Sequence, residues 1–317
     1  MAIRTNRKVE DEDFIKLWQE LQSAQKISEK TGLDVRNVHV RRRHIENKYK
    51  IRLVAADSRL PEFVVRDHMS RMDVDLDNAV IFVASDCHYW PGEVSTAHIA
   101  FVKLIKKHKP DIVVINGDAF DGASISRYPK SGYDTFKMPT VKEELEAVSD
   151  RLGEIEKVAG NAKCVFTMGN HDMRFENKLA NMAPEFKGVP GFSLKEHFPR
   201  WLFCMSMMIN KNLMVKHRYA NGLHATYNNT MKAGVSMVTG HLHRLQATIV
   251  SDYNGTRWGI DTGTLCETDG DQMSYAEGNP SNHCSGFALL TIVNGRLVQP
   301  EFCAVLDGVA YFRGQPV

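Results

Sequence analysis

The chain has 317 residues, 43% of them apolar and 25% charged, with a formal net charge of +2, the balance of an ordinary globular protein. No apolar run approaches the roughly 20 residues that cross a bilayer, and the opening MAIRTNRKVEDEDF lacks the apolar core of a secretory signal, so neither a membrane-spanning nor an exported protein is expected. The six cysteines are scattered and form no C-x-x-C, which argues against a disulfide framework or a thiolate zinc site and predicts a reducing, cytoplasmic setting.

The first 50 residues read as short helices. In DFIKLWQELQ the apolar residues Phe14, Ile15, Trp18 and Leu21 form a helical stripe. A second helix follows, with Ser23 as its N-cap and Gly32 as its stop, and Asp34 caps a third that begins at Val35. At about 100° per residue, Val35, Val38, Ile45 and Tyr49 of this third helix share one face. Arg36, Asn37, Val40, Arg43, His44 and Asn47 lie opposite, while Arg42 falls near the apolar face and must reach outward along its stem. Residues 35–54 hold seven Lys or Arg against one Glu, a local +6 in a chain whose total is +2, which points to a local anionic partner. A short helix, a glycine turn and a basic helix resemble a helix-turn-helix module, in which the second helix enters the DNA major groove. Arg36 and Arg43 would then read guanine edges, Asn37 an adenine edge, and His44 and neighbouring cations the phosphates. The other reading is a three-helix bundle with a solvated basic face that packs on the rest of the chain or mediates dimerisation.

Residues 52–78 read as a connector with a little structure of its own. From Ala79 the pattern changes: AVIFVAS (79–85), DIVVING (111–117), KCVFTMG (163–169), NLMVKH (212–217) and VSMVTG (235–240) are short apolar runs that read as buried strands. Helical patterns lie between some of them, such as TAHIAFVKLIKKH and TVKEELEAVSDRLGEIEKV, and the alternation implies an α/β architecture. GFALLTIVNGRLVQPEF, with Asn294-Gly295 at its turn, predicts a β-hairpin. The expected organisation is a helical domain over 1–51, a connector over 52–78 and a main domain over 79–317.

Each of the five strands is followed by residues able to bind metal: Asp86 and His88, then Asp118 and Asp121, then Asn170-His171-Asp172, then His217, then His241 and His243. The C-terminal ends of neighbouring strands face one crevice, where α/β proteins place ligands. Asp, His and Asn are hard-to-borderline donors suited to Mn, Fe or Zn. The glycines before Asp118, Asn170 and His241 are expected to permit sharp turns that aim those side chains inward. Any one motif is weak, but the ordered series D-x-H, G-D-x-x-D, G-N-H-D, H, G-H-x-H resembles that of the calcineurin-like metallophosphoesterase superfamily over about residues 79–300.

That resemblance implies a sandwich of two mixed β-sheets flanked by helices, here with a small all-α N-terminal domain. It implies two divalent metal ions, manganese first with iron, zinc or nickel as alternatives. Asp86, His88 and His243 would hold one, Asn170, His217 and His241 the other, and Asp118 would bridge them, with a metal-bridging hydroxide as nucleophile. His171 would sit at the leaving-group oxygen as general acid, or stabilise the charge developing there, and Asp121 would orient it. His217, in MVKHRY, departs from the family's usual His-Gly, and His224 in NGLHAT is the competitor; His217 is preferred because it ends a strand-like run. Asp172 reads as the cap of the following helix, DTGTL (261–265) as a structural turn beneath the site, and His98, His108, His197 and His283 as structural or exposed. The loop over 122–140 interleaves cations with aromatics, and Arg127 and Tyr128 are candidates for substrate contact; the loop also reads as ordinary surface.

Metal chemistry of this kind does not choose a substrate. The basic N-terminal segment favours DNA, so the expected activity is a phosphodiesterase or nuclease acting on DNA. The alternative is a phosphatase or small-molecule phosphodiesterase whose N-terminal bundle serves assembly, including a homodimer.

Overall fold

The computed structural model describes residues 9–51, 53, 70–92, 94–127, 138–276 and 281–317. The chain divides into two compact units, Met1–Arg66 and Asp67–Val317.

The first unit contains α1 (Asp11–Leu21), α2 (Ala24–Thr31) and α3 (Val35–Tyr49). Its caps are those the residue types dictate. Ser23 accepts from the Lys26 amide, Gly32 closes α2 at a φ of 70°, and Asp34 accepts from the Arg36 amide. Phe14, Trp18, Ile27, Val38, Ile45 and Leu53 form the core. Val35 and Tyr49 do not complete the expected apolar face: they are the terminal residues of α3, 38% and 44% exposed, and the Tyr49 hydroxyl donates to Asp11. Arg42 covers the core edge, its guanidinium 4.9 Å from the centre of the Trp18 ring and its Nε 3.1 Å from Glu46.

The second unit begins with β1 (Arg71–Val74), β2 (Ala79–Ala84), α4 (Thr96–His108), β3 (Ile112–Asn116), α5 (Val141–Ala159) and β4 (Lys163–Thr167). Next come α6 (Asp172–Met182), α7 (Leu194–His197), β5 (Leu202–Cys204), β6 (Ser206–Ile209), β7 (Leu213–Val215), α8 (Ala225–Ala233) and β8 (Ser236–Thr239). Then follow β9 (Leu245–Asp252), β10 (Gly255–Thr262), β11 (Gly286–Val293), β12 (Arg296–Leu297), β13 (Glu301–Leu306), β14 (Val309–Phe312) and β15 (Gln315–Pro316). One sheet runs β1-β6-β7-β8-β10-β9; the other runs β15-β14-β13-β11-β2-β3-β4-β5, with β12 paired to β11. Both mix parallel and antiparallel pairs, and helices flank them, as the family resemblance implies. Within the range read as a connector with a little structure of its own lies β1, which pairs in parallel with β6. The Asn-Gly hairpin forms as expected, with φ of 49° at Asn294 and 74° at Gly295 joining β11 to β12.

Alternation along the central strands explains why they are apolar throughout. Ile81 and Val83 of β2, with Val114 and Val165, face the other sheet and pack on Met207, Ile209, Leu213, Val215, Val238 and Ile260. Phe82 and Ala84, with Val113, Ile115 and Phe166, face away and pack on Phe101 and Leu104 of α4 and Val148, Leu152 and Ile155 of α5. A strand covered on both sides has no polar face to show. Because β2, β3 and β4 are parallel neighbours, their C-terminal ends open at one edge.

Candidate metal centre

The loops at that edge gather the expected side chains into two adjoining groups. Asp86, His88 and His243 offer donor atoms within 4.8 Å of one another, and so do Asp118, His217 and His241. In the first group His243 Nε2 is 3.1 Å from Asp86 Oδ1, and His88 Nε2 and His243 Nε2 face each other at 3.4 Å. In the second, His217 Nε2 is 3.0 Å from Asp118 Oδ2. The groups adjoin, since His217 Nε2 is also 3.9 Å from Asp86 Oδ1. His224, the competitor for His217, instead precedes α8 as its N-cap residue.

The backbone builds this pocket at a local cost. Asp86, His88, Asp118, His241 and His243 have φ of 51°, 40°, 54°, 72° and 55°, all left-handed. That conformation costs about 1–2 kcal/mol per residue for a side chain with a Cβ. Of the three glycines expected to make sharp turns, only Gly117 has a positive φ, 84°. Gly169 and Gly240 serve by leaving room: a Cβ at 169 would lie 2.1 Å from Asp118 Oδ1, and one at 240 would lie 2.5 Å from Asp86 Oδ2.

The donors fit a pair of divalent cations. Asp86 Oδ1, Asn170 Oδ1 and His217 Nε2 are buried and lack hydrogen-bond partners, an arrangement that ordinary folding avoids. The His217 Nδ1–H donates to the Asn116 carbonyl at 2.8 Å, which turns the Nε2 lone pair toward Asp118. Burial alone would push the His217 pKa down, but Asp118 and Asp86 outweigh it and raise it to about 10. Burial likewise opposes charge on Asp118, yet His217 holds that carboxyl well below the usual range. The space between these groups therefore demands positive charge.

His171 forms a third group with His88 and Asp121, whose donor atoms also lie within 4.8 Å of one another. Its Nδ1 is 2.6 Å from Asp121 Oδ1, its amide donates to Asp118 Oδ1 at 2.8 Å, and its Nε2 is 4.0 Å from Asp118 Oδ2. The same Asp121 oxygen is 2.9 Å from His88 Nδ1, so one carboxylate orients two imidazoles.

Three residues near the site have roles that sequence reading missed or misassigned. Arg174, one helical turn past His171, donates to the Asp121 carbonyl at 2.8 Å and places Nη2 3.0 Å from His171 Nε2. Its i+3 spacing on α6 is the signal that could have found it. His283, expected to be structural or exposed, tilts against His243 with ring centres 4.5 Å apart and planes at 60°; burial, reinforced by His243, pushes its pKa down to about 4. Asp172 is no helix cap: the residue at that position is His171, and the Asp172 carboxylate accepts from the amides of Gly169, Asp118, Ala119 and Phe120 at 2.8, 2.7, 3.1 and 3.0 Å. It ties the Asp118 loop to the Asn170 loop. The 261–265 segment does support the site, with the Thr264 hydroxyl donating to the Asp86 carbonyl at 2.5 Å.

Arg127 is exposed two residues beyond the short turn Ala123–Ile125, and Tyr128 lies outside the described residues. Arg36, Asn37, Arg43 and His44 are all exposed on α3.

The chain is 28% identical over 226 residues to the Gene 54 protein of Mycobacterium phage L5, a match spanning 66% of this chain and 87% of that protein. It is 28% identical over 238 residues to the Gene 54 protein of Mycobacterium phage D29, with the same coverage. Similar solved structures include an archaeal phosphodiesterase, at 13% identity and a TM-score of 0.36 over 71% of this chain and 99% of that one. Another is Yfce, a phosphoesterase from E. coli, at 16% identity and a TM-score of 0.33 over 70% and 97%. The profile described as calcineurin-like phosphoesterase matches residues 79–245, more than half of the chain, and the chain therefore belongs to the calcineurin-like phosphoesterase family of metal-dependent phosphoester hydrolases.

Proposed function

We propose that the protein is a phosphodiesterase that cleaves DNA. Asp86, His88 and His243 would hold one divalent cation, Asn170, His217 and His241 a second, and Asp118 both; the donor set suits manganese. Cations held there supply Lewis acidity at the phosphoryl oxygens and lower the pKa of water. The chain's own part is proton handling and positioning. Asp121 fixes His171 through Nδ1, which leaves Nε2 as the atom that meets the leaving-group oxygen and, when protonated, delivers its proton there. Arg174 meets the same Nε2 and adds positive charge where negative charge develops.

The choice of DNA rests on one observation, the division of labour among the cations of α3. Arg41 pairs with Asp11 at 3.4 Å and Arg42 with Glu46 at 3.1 Å, so both serve the helical unit itself. Arg36 and Arg43, with Asn37 and His44, remain exposed on the same helix. Arg and Asn are the side chains that read base edges, and they stand among cations that suit phosphates.

The experiment is a manganese-supplemented panel of linear, circular, single-stranded and double-stranded DNA, run beside a bis-aryl phosphate diester and the aryl monoester. Cleavage of at least one DNA and preference for the diester are expected. Monoester preference with no DNA cleaved would defeat this reading in favour of a phosphatase.

A further inference from the structure

Two cavities flank the metal centre, and their chemistry is opposite. One, about 380 Å³, is bordered by His88 and lined by Glu267, Asp269 and Asp271. Its single cation, Arg151, is bound to Glu154. The other, about 400 Å³, is bordered by Asn170 and His217 and, among the described residues, has no acidic residue in its lining. Both volumes fall within the range of roughly 300–1,000 Å³ typical of small-ligand sites.

The second cavity combines two kinds of surface. Met168 and Met173, which flank the Gly169–Asp172 motif, line it with Met205 and Met214 from two other stretches of chain, and Met205 is 41% exposed. Methionine is soft and polarizable and packs well against ring faces and edges. Lys216 and Arg218 stand beside these methionines on either side of His217 in the chain. Neither is in an ion pair with any described residue, and Lys216 Nζ lies 5.3 Å from the Tyr219 ring centre. Two unpaired cations beside four thioethers suit a ligand with an anionic group and a flat apolar one.

We propose that this cavity is a nucleotide subsite. A nucleic-acid strand whose scissile phosphate sits at the metal centre continues over Asn170 and His217, with the next base against the methionines and the next phosphate against Lys216 and Arg218. The cavity beside His88 repels a phosphate, so the strand's longer arm lies on the methionine side. The subsite gives the centre a preference for a polynucleotide diester over an isolated phosphoester. It rests on the nucleic-acid reading above and adds to it where the strand runs.

The test uses the full chain loaded with manganese, in an Arg36→Ala/Arg43→Ala background so that α3 does not contribute. Hydrolysis of short oligothymidylate is compared with that of a bis-aryl phosphate diester, and oligothymidylate binding is followed by fluorescence anisotropy across a salt series. Lys216→Gln/Arg218→Gln should lower kcat/KM for the oligonucleotide by roughly tenfold more than for the aryl diester. It should also flatten the salt dependence of single-strand binding by about 0.7 in log–log slope for each cation removed. Arg218→Gln alone, an exposed site that places no strain on His217, should give part of both effects, and Arg218→Lys should restore most of the salt dependence. Equal losses on both substrates, or an unchanged salt slope, would overturn the subsite while leaving the nucleic-acid reading in place. A parent protein that hydrolyses the aryl diester but cleaves no nucleic acid would overturn both.

Discussion

The Nδ1 of His171 lies 2.6 Å from Oδ1 of Asp121, and that single oxygen also meets His88. The carboxylate thus connects the proposed general acid to a candidate metal ligand. His171→Ala should keep the ions and lower turnover by about 100- to 10,000-fold, the range for loss of a general acid. Metal analysis of the purified variant decides between roles, because lost ions would make His171 a ligand. Asp121→Asn should do both kinds of damage, lowering turnover and weakening retention of the ion near His88.

Asp118→Asn should lose metal and activity together, since the carboxylate is proposed to serve both ions. Gly169→Ala should reproduce that loss without changing any donor, because its added methyl lies 2.1 Å from Asp118 Oδ1. Calorimetric titration with manganese reads both variants, and wild-type affinity in either one contradicts the shared role of Asp118.

Asp172→Asn tests the tie between loops. The amide offers one acceptor where the carboxylate had two, and it turns an N–H₂ toward backbone donors. The fully buried site leaves at least one amide unsatisfied, at a cost of about 1–3 kcal/mol. Denaturant unfolding should show a lower midpoint; a midpoint equal to the parent's refutes the assignment.

Glu144 links pH to stability. Burial, assisted by the charge of Asp121, raises its pKa from the usual 4.5 to about 8 against the pull of the Gly122 and Ala123 amides. A carboxyl with a raised folded pKa holds its proton more tightly when folded, so the stabilisation linked to it is complete below 4.5 and is lost as pH climbs through about 8. Melting temperatures taken across this window should fall in the parent protein and fall less in Glu144→Gln. Parallel curves would show that Glu144 does not titrate there.

Arg36→Ala/Arg43→Ala should weaken DNA binding. An arginine that reads a base edge is worth about 1–3 kcal/mol, and one that neutralises a phosphate contributes about 1 to the salt slope. The weakening on DNA should exceed any change on a small diester. An unchanged salt slope removes α3 from DNA recognition.

What could be read in advance follows from which forces are local. Caps at Ser23, Gly32 and Asp34, the Asn294-Gly295 turn and the apolar runs of β2, β3, β4, β7 and β8 depend on near neighbours, and each formed close to its expected range. The seven candidate ligands were legible because each follows a buried strand. By contrast, β1 has alternating exposed and half-buried residues and exists only because β6 pairs with it. Asp172 sits where a helix cap is common, but three of the four amides it receives belong to a loop more than 50 residues away. His283 meets His243 through tertiary folding alone, and the methionine cavity joins the two methionines that flank the Gly169–Asp172 motif to Met205 and Met214 from distant stretches of chain.

The left-handed backbone at Asp86, His88, Asp118, His241 and His243 bears on when the centre is assembled. These conformations are imposed by the surrounding chain, so the free energy they require is met during folding. Ion uptake then finds its donors already poised and loses little to rearranging the main chain. A chelator should therefore silence the enzyme while leaving a scaffold that reloads rapidly, without a refolding step.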